Sequence, residues 1–344
     1  VSRLSPSLRR RISGGAPFLI FGLVIVAFLL VPFYSTETIS PFNGYNTLQS
    51  ASSVGLLALA VGLSMIAGEF DLSTVGMYAL GGMLAVKFGG SSPVLGVLIG
   101  MAAGVVVGAI QGGIIAKLGI SSVPVTLGGY IALLGLTNVI SGGESVAYEN
   151  FNVGLWLDQE VLTYFSPRSL IMLLAFVGVA ALLRWTRIGR DLRAVGGDRR
   201  AARAAGVRTD RLLIGTFIAT AVISALAGAL LSFSIATAKP DPGGSPLVFA
   251  VTAALLGGVT LAGGKGTAAG ILAGVLSLSL LEEIFVIVAT PDYVSNLVLG
   301  GLLITVVAFD APRLRDRAVA LKSRAAARRI SALQSQQLRR EQQR

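Results

Sequence analysis

Long apolar runs separated by short polar breaks set the pattern of this chain. They occupy approximately Ala16–Val31, Leu48–Ala67, Leu72–Phe88, Val94–Ala116, Val123–Ile140, Ser169–Leu183, Leu212–Ser234, Val248–Ala262, Thr267–Ala289 and Val294–Phe309. Most approach the roughly 20 residues that a helix needs to cross a bilayer. No strand-like alternation is sustained between them. The pattern therefore predicts an all-α, polytopic membrane protein with about ten transmembrane helices. An even number of spans places both termini on one side. The implied organisation is an N-terminal segment 1–15, a membrane domain 16–310 and a tail 311–344. The first apolar run follows Arg3, Arg9, Arg10 and Arg11, as in a signal peptide. No small-x-small cleavage site follows it, so it reads as the first span.

Composition agrees with this pattern and excludes several functions. Of 344 residues, 53% are hydrophobic and 13% charged, with mean hydropathy +0.78. A soluble domain carries about 25% charged residues. The 43 glycines suit helices that approach closely in lipid. There is no cysteine and no histidine, which excludes disulfides, thiolate metal sites and histidine catalysis. The net charge of +11 does not indicate nucleic acid, because the basic residues follow the loops and the tail.

The placement of charge fixes an orientation. All but three of the 28 Lys and Arg residues fall on one side of the ten-span arrangement, the exceptions being Lys87, Arg168 and Lys239. The positive-inside tendency makes that side, with both termini, cytoplasmic. The longest outside segment, Ser141–Pro167, carries Glu144, Glu149, Asp158 and Glu160 with Tyr148, Phe151, Trp156, Tyr164 and Phe165. It reads as an interfacial segment with aromatic anchors or as part of a docking face for an external protein.

Nine arginines cluster in the loop 184–211. Within it Asp198 is a suitable N-cap and Gly206 a suitable C′ residue around the helix-forming RRAARAA. Arg199, Arg200 and Arg203 share one broad face of that helix. Gly196 and Gly197 allow a sharp entry turn. The loop is either a solvated topology signal or a docking element for a cytoplasmic partner.

Three other features carry candidate chemistry. Glu69 and Asp71 interrupt an apolar region. Asp71, followed by Ser73 and Thr74, is a good N-cap for the next helix. The two carboxylates either cap a helix break or line a polar path. Glu282 and Glu283 lie about 22 Å along the ninth run at 1.5 Å per residue, in its outer half. Adjacent helical residues point about 100° apart, so one can face a cavity while the other faces a neighbouring helix. Gly263–Thr267, GGKGT, lacks the Walker A spacing and the Ser or Thr directly after Lys265. It reads as a glycine turn, with Lys265 on the basic side.

Three blocks together resemble the permease subunits of ribose/xylose/galactose-type ABC importers, the branched-chain-transport-like permease family. They are GEFDLS at Gly68–Ser73, GRDLRAVGGDRRAARAAGVRTDRL in the basic loop, and ALLGGVTLAGGKGTAAGILAGVL around Gly263. Their order and spacing agree across nearly the whole chain. The resemblance implies a multi-pass permease of the bacterial cytoplasmic membrane that hydrolyses nothing itself. Its implied partners are two ABC ATPase subunits, which bind ATP and Mg, a second permease copy or a homologue, and a periplasmic or lipid-anchored solute-binding protein. The helix Asp198–Gly206 is then the coupling helix, entered through Gly196 and Gly197. Glu69, Asp71, Ser73, Glu282 and Glu283 are candidates for the translocation pathway of a small polar solute, a monosaccharide or polyol. The alternative is a self-sufficient, ion-coupled secondary transporter. A membrane enzyme finds no nucleophile–base or metal constellation in the sequence.

Overall fold

The computed structural model describes residues 18–26, 28, 40–243 and 245–308. The expectations for segment 1–15 and for the basic tail 311–344 lie outside these residues. Helix α1 covers residues 18–26. It is followed by α2 (Pro41–Ile66), α3 (Ser73–Phe88), α4 (Pro93–Leu118), α5 (Ser122–Ser141), β1 (Val146–Ala147), α6 (Phe151–Leu157) and α7 (Pro167–Trp185). Then come α8 (Arg187–Gly197), α9 (Arg199–Ala204), α10 (Thr209–Ser234), β2 (Thr237–Ala238), α11 (Ser245–Leu256), α12 (Ala268–Ile287) and α13 (Asp292–Ala308).

Six of these helices, α2, α4, α5, α7, α10 and α12, are long and apolar enough to cross a membrane. The apolar runs expected at 72–88, 248–262 and 294–309 form shorter helices, α3, α11 and α13. The run at 248–262 divides because Gly258, at φ +80°, stops α11, and a glycine-rich turn follows. Two departures from an all-helical chain are small. β1 and β2 pair antiparallel over two residues each, and a single bridge joins Val161 to Phe165.

The helix boundaries follow local chemistry. Serine followed by proline opens α2, α4 and α7. Ser40, Ser92 and Ser166 accept from the backbone N–H of Asn43, Leu95 and Ser169, and proline takes the first helical position, where its missing N–H costs nothing. Gly119 and Gly142, at φ +66° and +74°, close α4 and α5.

Helix α10 is the centre of the bundle and packs against α2, α3 and α4. On α4 a stripe of glycines recurs at every fourth position, in which Gly96 and Gly100 lie against α3 and its end, and Gly104, Gly108 and Gly112 face α10. A methyl group on Gly104 would lie 3.0 Å from the Ala221 backbone, and one on Gly112 would lie 2.9 Å from Ile214 Cα. Close approach of this kind is how helices associate where no water is present to drive burial. The other face of α4 exposes Val94, Leu98, Val106 and Ile110, an apolar surface suited to lipid. On the other side of α10, α2 packs against α7, α11 and α12.

Candidate functional site

The three sequence blocks singled out above meet at one point. Gly68 follows α2, Gly196 and Gly197 end α8, and Gly263 and Gly264 lie in the turn after α11. The Gly264 N–H donates to Ile66 O at 2.9 Å. A Cβ on Gly68 would stand 3.0 Å from Gly196 Cα, one on Gly263 would stand 2.8 Å from Gly196 O, and one on Gly264 would stand 2.8 Å from Gly197 N. Gly68, Gly263 and Gly264 also have φ between +73° and +82°, a conformation that side chains oppose. The junction is backbone against backbone.

The element that brings the basic loop here is α8, which sequence reasoning missed. RIGRDLRAVGG forms an amphipathic helix capped by Thr186, whose side chain accepts from Gly189 N. It buries Gly189, Leu192, Val195 and Gly196. The signal was present, since Gly189, Leu192 and Gly196 recur at three- and four-residue spacing, but the density of arginine concealed it.

Helix α9 forms where the sequence places a helix between Asp198 and Gly206, with the expected caps. Asp198 accepts from the N–H of Arg200 and Ala201 at 3.0 and 3.1 Å. At its end Gly206 N–H donates to Arg203 O and Val207 N–H to Ala202 O. With Gly206 at φ +88°, this is a Schellman motif. The three arginines do not act as one free face. Arg199 donates to Ala116 O at 3.2 Å and to Asp210 at 3.3 Å, and lies 3.7 Å from Glu69. Arg203 pairs with Asp210 and donates to Thr209 Oγ1 at 3.1 Å. Both tie α9 to the start of α10, while Arg200 points to solvent.

Glu69 therefore belongs to this end of the molecule. Burial pushes its carboxyl above the usual carboxylate range, and Ser122 and then Arg199 pull it back. Asp71 sits apart from Glu69. The expected N-cap position is taken by Leu72, whose side chain cannot cap, and Asp71 serves from one residue earlier. Its Oδ1 accepts from Ser73 N at 3.0 Å and from the Ser73 hydroxyl at 2.6 Å, and its Oδ2 accepts from Thr220 at 2.9 Å. The Ser73 hydroxyl also lies 2.7 Å from the Gln111 side-chain amide. All four residues are buried. They brace α3, α4 and α10 from within.

The opposite end is built from side chains. Arg168, at the start of α7, lies 3.1 Å from Asp158 and donates to Gln49 and to Ser53 Oγ at 3.2 Å. Asp158 also accepts from Gln49 Nε2 at 3.2 Å and from Ser234 at 2.5 Å. The Tyr45 hydroxyl bonds Asp158 O. Part of the segment 141–167 is thereby fixed to the bundle. Tyr148 donates to Gly89 O at 2.9 Å and packs on Phe233 with ring centroids 4.7 Å apart. Phe151, Leu155 and Trp156 remain exposed on α6.

Beside this network is a cavity of about 520 Å³ with a mixed polar and apolar lining. Ser50 and Ser53 of α2, Ser245 and Phe249 of α11, Glu282 of α12, and Asp292, Ser295 and Asn296 of α13 line it. Glu283, one residue on, is buried and hydrogen-bonds Asn46 of α2. The two glutamates thus diverge as helical geometry predicts, one to the cavity and one to a neighbouring helix. Of the five residues expected to line a path, only Glu282 borders this cavity. The serines, Asp292 and Asn296 were not foreseen, because isolated short polar residues within or beside apolar runs carry no sign of the cavity they face. Among the described residues no cluster of acidic residues could hold a metal ion.

Comparison with known proteins places these features in context. Residues 43–307 match the family described as the branched-chain amino acid transport system / permease component. The chain is 30% identical to the L-arabinose ABC transporter permease protein of Azospirillum brasilense, over 86% of this chain and 88% of that one. It is 31% identical to the ribose import permease protein of Bacillus subtilis, over 86% and 91% of the two chains. Identity to the autoinducer 2 import system permease protein of Yersinia pseudotuberculosis is also 31%, over 77% and 76%. No solved structure matches the sequence significantly.

Proposed function

Because this chain belongs to the branched-chain amino acid transport system / permease component family, we propose that it is the membrane subunit of a binding-protein-dependent importer for a monosaccharide or polyol. It is a transport component, not an enzyme. The observation that carries the choice of solute is the cavity beside Glu282. Four serine hydroxyls, two carboxylates and an amide converge there with one aromatic ring. Such a lining supplies many hydrogen-bond partners and an apolar face, which suits a polyhydroxylated solute better than an aliphatic amino acid. The similarity to arabinose and ribose permeases supports the same reading, although the family description names amino acids.

In this reading about ten helices span the bacterial cytoplasmic membrane, with both termini and the basic end cytoplasmic. Two structural neighbourhoods support that orientation. Lys117 and Lys265 adjoin the basic loop through Ala116 and Gly264. Lys87 lines a cleft with Glu149 at the opposite end. An ABC ATPase pair, binding ATP and Mg, docks against α8 and α9. A second permease copy or a homologue completes the pore, and a periplasmic or lipid-anchored binding protein delivers the solute. Closure of the ATPases displaces α9. The arginine clamps to Asp210 and Glu69 pass that movement to α10 and to the glycine junction.

The test is uptake into proteoliposomes containing this chain with its ATPase and binding protein. Accumulation of a labelled pentose or polyol that requires internal ATP and the binding protein is the expected result. Transport by this chain alone on an ion gradient would establish the secondary-transporter alternative. ATP-dependent uptake of leucine in preference to sugars would move the solute class.

A further inference from the structure

A second cavity, of about 700 Å³, opens at the basic end and takes no part in the solute path described above. Its floor is one face of α10. Leu212, Gly215, Thr216 and Ala219 follow Arg208 and Arg211 at three- and four-residue spacing, so all six residues lie along a single stripe. Leu63 of α2, Leu182 of α7 and Ile188 of α8 form the walls. Polar groups are confined to the mouth, where Arg208 and Arg211 stand with Asp191. Thr216 lies deeper, and its hydroxyl is already donated to Leu212 O at 2.8 Å. The floor is open at Gly215, where an added Cβ would meet nothing within 4 Å.

The dimensions suit the outer part of one leaflet of a bilayer. From Leu212 to Ala219 the apolar part of the stripe runs about 10 Å at 1.5 Å per residue, about two thirds of the roughly 15 Å that half of a hydrocarbon core measures. An apolar slot of that depth with two guanidinium groups at its mouth complements a molecule with a phosphate at one end and a hydrocarbon chain at the other. A soluble anion would use the mouth and leave the slot empty. A lipid without phosphate would leave two arginines unanswered, and a choline headgroup would bring a further cation beside them.

We propose that this groove holds one anionic phospholipid of the leaflet on the basic side. Arg208 and Arg211 bind its phosphate, and one acyl chain lies along Leu212, Gly215 and Ala219 between Leu63 and Leu182. Asp191, on the far rim, accepts from a headgroup hydroxyl, which favours a glycerol headgroup such as that of phosphatidylglycerol. The lipid fills the gap between α7, α8 and α10, and so steadies the loop that carries α9. The proposal does not depend on which solute is carried.

The test uses the full chain, purified in a mild detergent and exchanged with defined lipids. Retained lipid is read by native mass spectrometry and the melting temperature by intrinsic fluorescence. Phosphatidylglycerol should be retained about one per chain and raise the melting temperature, whereas phosphatidylcholine and glycerol 3-phosphate should do neither. Arg208→Gln with Arg211→Gln should lower retention roughly thirtyfold, the order expected for two basic groups at a membrane surface. Gly215→Leu fills the slot without touching the charges. It should abolish retention while the lipid-free melting temperature stays unchanged, which keeps the test independent of misfolding. Arg190→Gln, in the same loop but outside the groove, should retain lipid as wild type does. Equal loss from all three variants would show a diffuse charge effect and overturn the proposal. Retention by Gly215→Leu would also overturn it. So would protection by glycerol 3-phosphate equal to that by the lipid, which would identify an anion site without a chain.

Discussion

At the basic end Gly68, Gly196 and Gly264 meet through their backbones, whereas at the opposite end Arg168, Asp158, Gln49 and Ser53 meet through their side chains. A backbone contact has no rotamer to change and no atom to trade. It keeps its shape under load, as a joint must if it passes movement from an ATPase to the helices. A network of side chains can be altered one group at a time, which suits the solute-facing role proposed for this end. The relatives fit this division. They are named for an aldopentose such as arabinose or ribose and for autoinducer 2, so different solutes are associated with one architecture.

The largest expected effect tests the rigid half. Gly196→Ala places a Cβ 2.7 Å from Gly264 N and 2.9 Å from the Ala67 carbonyl carbon, with only backbone available to move. Overpacking that cannot relax costs about 3 kcal/mol or more. Gly197→Ala, one residue on, meets nothing within 4 Å. It should be neutral, because alanine also favours the helix. Fluorescence-monitored melting of the two variants separates them, and similar melting temperatures would remove the junction's special status.

The next effect is smaller and, unlike the first, repairable. Arg168 is almost fully buried, with a side-chain exposure of 6%, while Asp158 is 30% exposed. Arg168→Met leaves a partly buried carboxylate without its cation. Removing one partner of a fully buried pair costs about 3–5 kcal/mol, and solvent at Asp158 reduces this to roughly 2–3 kcal/mol. Adding Asp158→Asn should restore part of the loss. No recovery in the double variant would mean that the network is as intolerant as the glycine junction.

Within the cavity the contrast narrows to two neighbouring residues. Glu282→Gln should lower solute uptake several-fold while ATPase association and melting temperature hold. Glu283→Gln keeps an amide able to bond Asn46 and should change uptake less than twofold. Rate measurements over a range of solute concentrations distinguish them. Wild-type kinetics in both variants would make Glu282 a bystander to the path.

Much of the helical pattern and the capped helix after Asp198 were legible in the sequence, because both depend on local chemistry. Apolar runs, Ser-Pro starts, and the Asp198 and Gly206 caps are written in consecutive residues. The two sites were not legible, because they depend on distant partners. Nothing near Gly68 indicates that Gly196 and Gly263 will stand against it. Arg168 carries only a weak sign, as a lone charge at the head of an apolar run. The break at Asp71 read either as a helix cap or as a polar path because the groups that turn the carboxylate inward, Thr220 directly and Gln111 through Ser73, lie 149 and 40 residues further on. The arginine face of α9 was misjudged for a related reason. Spacing places Arg199, Arg200 and Arg203 together, but it does not reveal that Asp210 and Glu69 engage two of them.

That last point gives the smallest and most specific expectation. Arg203 and Asp210 are 59% and 47% exposed, so Arg203→Gln should cost at most about 0.5 kcal/mol of stability. Any effect it has on transport should come through the seating of α9. Arg200 makes no such internal contact, so Arg200→Glu should leave the melting temperature unchanged. If α9 docks an acidic groove on the ATPase, the same change should weaken ATPase association by roughly tenfold at low salt, with the difference shrinking as salt rises. Titrating the ATPase onto each variant at two ionic strengths reads both effects. A loss of association in Arg203→Gln but not in Arg200→Glu would reverse the assignment. The clamp would then be the docking element, and the exposed face of α9 a solvated surface.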